Sequence, residues 1–159
     1  MQDARDERTA MGWGLGLLLL AASALPVGFW ASFAPRSFHD DFPAPGRYWV
    51  SAIGPYNEHL VTDVRAGYLA LGMLSGLAGT LLGRTLVRVS LVAWLAYAVP
   101  HFAFHFTTLD TFSLADNLAS MSSLGLAVLL PLLLLAGTYR TLQKDEPGAR
   151  GTKEGRIGA

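Results

Sequence analysis

The chain has 159 residues, of which 52% are apolar and only 15% charged, and its formal net charge is zero. Soluble domains carry roughly 25% charged residues, so this composition excludes an ordinary soluble domain. The absence of cysteine excludes a disulfide framework, a zinc ribbon and a thiol nucleophile, and no stretch resembles a nucleic-acid-binding patch.

Four apolar runs, residues 11–34, 64–82, 89–106 and 118–138, dominate the chain. Each approaches or meets the roughly 17–25 residues that a helix needs to cross a bilayer core. Residues 1–10 read as a polar, frayed tail. The first run carries Gly12, Gly14 and Gly16 near one end and Pro26 in its other half. Pro26 lacks an amide proton and leaves the Ala22 carbonyl without its helical donor, so a bend is expected. Ala22-Ser23-Ala24 fits a signal-peptidase pattern. The leading segment is not net basic, however, and the apolar run outlasts a signal's roughly 7–15 residues, so an uncleaved span is expected.

Residues 35–60 form the one long loop. Pro35, Pro43, Pro45 and Pro55 exclude a continuous helix there, and Phe38, Phe42, Tyr48, Trp49 and Tyr56 suit a cap lying on the membrane surface. Asn57 is placed as an N-cap for the second helix, with Glu58 in its first turn. Gly72/Gly76 and Gly79/Gly83 have GxxxG spacing, which favours close helix packing and a central position in the bundle. Arg84 to Arg88 form a tight turn before the third span, which carries Pro100, His101 and His105. Ser113 to Asp116 read as a capping box that opens the fourth helix, in which Pro131 predicts a bend.

Nine of the twelve cationic residues flank one side: Arg5, Arg8, Arg84, Arg88, Arg140, Lys144, Arg150, Lys153 and Arg156. Arg36, Arg47 and Arg65 are on the other. Cationic flanks mark the cytoplasmic face, so both termini are expected inside. The sequence therefore predicts an all-α membrane protein, a four-helix up-down-up-down transmembrane bundle with one long outer loop. Residues 1–10 would be a cytoplasmic tail, 11–139 the membrane domain and 140–159 a disordered basic cytoplasmic tail. Arginine outnumbers lysine ten to two, with abundant Ala, Gly and Leu, which suits a GC-rich bacterial genome and a bacterial inner (plasma) membrane.

Helix rise places the polar residues. His101 lies 13 residues beyond Arg88, or roughly 20 Å, and Asp63 lies 21 residues from Arg84, or roughly 32 Å. Asn57, Glu58, His59, Asp63, Arg65, His101, His105, Asp110 and Asn117 are therefore expected at the outer end. His101/His105 and His59/Asp63 each stand at i, i+4, the spacing that aims two ligands at one ion. With Glu58 beside them, they suit zinc or non-haem iron; His59 opposite His101 or His105 would instead hold a b-type haem. The plainer reading is structural: an ion pair at a helix end, a dipole partner and a cap. His101 weighs against that reading, because ionisable groups at membrane depth are rare.

Phe38-His39-Asp40-Asp41-Phe42-Pro43, Gly46-Arg47-Tyr48-Trp49-Val50-Ser51, Gly54 to Leu60 and Asp63-Val64, followed by Pro100-His101 and His105, resemble a group of small bacterial four-span membrane proteins without assigned function. The similarity covers about residues 38–106. The helix layout is also similar, in architecture alone, to the DoxX-like families. The resemblance implies the fold and threading and carries no chemistry. Three functions follow as expectations: a non-enzymatic accessory or interaction protein in the bilayer, partnered with another membrane protein; a metal- or haem-dependent membrane oxidoreductase using the outer cluster; and a small transporter subunit.

Overall fold

The computed structural model describes the backbone of residues 3–144 and the side chains of residues 10–139. All regular structure among the described residues is helical. Helix α1 spans Asp3–Phe33, α2 Pro35–Asp41, α3 Glu58–Leu81, α4 Arg84–His105 and α5 Leu114–Lys144; a 3₁₀ turn, Phe106–Thr111, follows α4. Among the described residues four stretches are long and apolar enough to cross a membrane: Ala10–Phe33, Glu58–Leu81, Arg84–Thr111 and Leu114–Tyr139. The chain is a multi-pass membrane protein by that criterion.

The helices overrun the apolar runs at several ends. Ala4, Arg5, Glu7 and Arg8 have high helix propensity, so α1 starts at Asp3 instead of Met11. Pro35 occupies the first turn of α2, where its missing amide proton costs nothing, and the expected loop opens with this short helix. Asn57 caps α3 as expected, its Oδ1 accepting the Leu60 amide at 3.1 Å. α5 continues through Lys144; the rest of the basic tail, residues 145–159, lies outside the described residues.

The four long helices pack as a ring, α1 on α3, α3 on α4, α4 on α5, and α5 back on α1. The core is Leu17, Leu20, Ala24, Leu71, Ala78, Val87, Leu91 and Trp94. Gly14 opposes Gly79, and Gly28 opposes Leu69; Ser75 meets Ser90, and Tyr68 meets Tyr97; Arg88 meets Thr138, and His105 meets Ser120. Along these three of the four interfaces the residue numbers run in opposite senses.

The α1–α3 seam depends on glycine. A Cβ at Gly79 would stand 3.1 Å from the Gly14 carbonyl, and one at Gly14 equally close to the Gly79 carbonyl. A Cβ at Gly72 would strike Leu25 at 2.7 Å. The spacing that matters is thus Gly72 with Gly79, two turns apart on one face. Gly76 has only a loose contact with Ala21, and Gly83 lies beyond the helix as the cap of α4. Nor is α3 the central helix: α1 is the most enclosed and α5 the least. Pro26 and Pro100 face outward, whereas Pro131 is buried. The α3–α4 connection is only Leu82 and Gly83, with Leu82 in the left-handed region at φ 52°.

Candidate functional site

The end of the bundle that carries α2 is closed by a strap running from Pro35 to Asn57. Its core is aromatic and aliphatic. Phe38, Ala31 and Val61 are buried, with Val27, Trp30, Phe42, Val50, Tyr56 and Val64 packed around them. Phe38 and Phe42 lie 5.1 Å apart by ring centroid, and Trp30 touches both. Such aromatic pairs favour offset and edge-on contacts. The five loop aromatics expected at the membrane surface are thus partly spent inside the strap.

Two polar devices fix the strap. In the first, Asp116 on α5 accepts Arg47 Nη1 and Trp49 Nε1 on the same oxygen, each at 2.9 Å, and Ser113 Oγ on the other at 2.7 Å. Ser113 in turn accepts the Asp116 amide at 3.2 Å, so the expected helix start is present. The carboxylate of that box does more than cap: it ties residues 47 and 49 to the start of α5. In the second, buried His39 on α2 places Nδ1 2.6 Å from Asp40 Oδ1 and Nε2 3.0 Å from the Gly54 carbonyl. Its ring lies edge-on to Tyr56, whose other partner is the Arg36 guanidinium 3.7 Å from the ring centroid. The Ser51 amide donates to the His39 carbonyl at 3.1 Å. Gly46, at φ 85°, supplies the left-handed turn that brings Arg47 round.

The residues singled out for ligand chemistry fall into two pairs. His59 and Asp63 lie 3.5 Å apart on the exposed side of α3, their side chains 88% and 63% accessible. His101 and His105 occupy one face of α4, ring centroids 5.1 Å apart. His101 stacks on Tyr97 at 5.6 Å, Tyr97 meets Tyr68 of α3, and His105 Nδ1 is 3.5 Å from Ser120 Oγ on α5. Glu58 is exposed in the first turn of α3, as expected. Among the described residues no three His, Asp or Glu side chains gather as a group that could hold a metal ion. Asn117 caps the 3₁₀ turn, donating to the Leu109 and Phe112 carbonyls at 2.7 and 3.3 Å.

His39, Arg47, Trp49 and Asp116 are the residues that sequence reasoning missed as a unit. The latch partners stand 67 and 69 residues apart. Each had a sufficient local explanation: a loop cation, an interfacial aromatic and a helix cap. Further inward, Trp94 Nε1 donates to Ser75 Oγ, which lies 3.2 Å from Ser90 Oγ. At the opposite end, Arg88 donates to Thr138 Oγ1 at 3.2 Å and to its carbonyl at 2.9 Å, with the Tyr139 ring beside it.

No protein-family model, curated protein or solved structure matches the chain.

Proposed function

We propose that this is a non-enzymatic accessory or interaction protein of the bacterial inner membrane, threaded up-down-up-down with both termini in the cytoplasm. On this reading the strap is its working end and is presented to another membrane protein. The observation that carries it is the use made of the polar side chains around the strap. Arg47 and Trp49 are spent on Asp116, and His39 on Asp40 and the Gly54 carbonyl, so that both sets hold the loop's shape. Tyr48 and Ile53 stand out from that fixed loop, 55% and 41% exposed, and offer apolar contacts at the bundle's end. The distribution of cations supports the threading.

A photo-crosslinker at Tyr48 in native membranes tests the function. A discrete protein adduct that weakens in Asp116→Ala is expected; adducts to lipid alone would overturn the reading. Reporters active only in the periplasm test the threading: activity is expected from a fusion at Ala44 and none at Ala159.

A second reading, a metal- or haem-dependent oxidoreductase, has the paired imidazoles of His101 and His105 in its favour. His59 and Asp63 form their own pair on α3. Metal analysis and an absorption spectrum of the purified protein decide it: stoichiometric zinc or iron, or a Soret band, would replace the first reading.

A further inference from the structure

Both ring nitrogens of His39 face oxygen atoms that can only accept when Asp40 is ionised. Nδ1 lies against the Asp40 carboxylate and Nε2 against the Gly54 carbonyl. A neutral imidazole has one N–H and one lone pair, so it satisfies one of these partners and points a lone pair at the other. Only the imidazolium donates to both. The ring is buried, with 6% exposure, so water cannot readily replace a lost partner.

The surroundings contain few other charges. Asp40 and Arg36 belong to the same helix, and Tyr56 lies edge-on to the ring with Arg36 on its face. Asp41 is engaged by the Ser37 hydroxyl at 3.0 Å. From α1 and α3, the strap core receives Val27, Trp30, Ala31, Val61 and Val64, none of them charged.

We propose that His39 is a proton-operated keystone: the strap is closed while the ring is protonated and loosens between Ser51 and Tyr56 when the ring loses its proton. The sign follows from the donor count. Both bonds are present with the imidazolium and one is lost with the neutral ring, so the strap is tighter on the acid side of that change and looser on the alkaline side. The switch regulates the strap read above as the working end, and on the proposed threading it would answer to periplasmic pH. Asp40, with its side chain 62% exposed, couples the ring to solvent.

The test uses the full chain in nanodiscs. Nitrogen–proton correlation spectra of the histidine rings should show His39 protonated on both nitrogens at pH 5.5 and as a neutral tautomer at pH 8.5. Amide exchange across residues 51–56, corrected for intrinsic base catalysis, should quicken by roughly tenfold over the same interval. His39→Gln should make this exchange insensitive to pH, while His59→Gln should leave the response intact. Asp40→Asn should move the transition to lower pH. A wild-type ring that stays neutral at pH 5.5, or protection of residues 51–56 that does not change with pH, would overturn the proposal even if His39→Gln fails to fold. None of these readouts involves a partner protein. Failure here therefore leaves the crosslinking result standing, and failure of the crosslink leaves the switch standing.

Discussion

The two sides of the bundle are held by different means. Between α1 and α3 the backbones approach through Gly14, Gly72 and Gly79, and among the described residues no side-chain hydrogen bond crosses the seam. Between α4 and its neighbours polar and aromatic pairs are added to the apolar packing of Val87 and Leu91: Trp94 with Ser75, Tyr97 with Tyr68, Arg88 with Thr138 and His105 near Ser120. Lipid tails are as apolar as leucine, so apolar surface gives helices little reason to associate within a bilayer. Close packing and interhelical hydrogen bonds are what remain; the α1–α3 side relies on the first, and the α4 side adds the second to it. A packing seam fails when volume is added. A hydrogen-bonded seam fails when an atom is removed.

That contrast orders the expected effects. Gly79→Leu should be the most damaging change, because even its Cβ meets the Gly14 carbonyl and Leu17. A loss of about 1–3 kcal/mol is expected, read as a lowered unfolding midpoint in detergent. Asp116→Ala comes next. It strips Arg47 and Trp49 of their shared acceptor and should lower the unfolding midpoint, with faster amide exchange near residue 49. Ser75→Ala removes the acceptor of the Trp94 indole and should cost about 1 kcal/mol or less, since hydrogen bonds between membrane helices average well below that of a buried pair in isolation. An equal loss from Ser75→Ala and Gly79→Leu in the same unfolding assay would break the comparison. The smallest effect belongs to His59→Ala, whose exposed pair with Asp63 should leave the midpoint unchanged.

The sequence makes the four spans legible because hydropathy is additive along a helix and needs no partner. The Asn57 cap and the Ser113–Asp116 box are legible for a similar reason: four consecutive residues suffice to define each. Which glycines meet another helix is not legible, because Gly72, Gly76, Gly79 and Gly83 look alike until a neighbour chooses Gly72 and Gly79. Distance along the chain hides the latch. His39 is hidden for a different reason: it sits beside Asp40 and Asp41 in a polar-looking stretch, and only the fold of residues 51–56 over it makes it interior. Helix rise alone also gathers His59, Asp63, His101 and His105 by depth. It does not fix rotation about each helix, and rotation decides which side chains meet.

The connection of Leu82 and Gly83 has a consequence for biogenesis. With only two residues between them, α3 and α4 have little slack, and on the proposed threading they are expected to enter the bilayer as a single hairpin. The contacts of Ser75 with Ser90 and Trp94 lie within that hairpin and need no other helix. The first helix is made earlier but finds its glycine-lined partner only after residues 34–57 have been synthesised. On that threading, assembly is expected to run out of chain order, α1 meeting its main partner only once the later hairpin has been made.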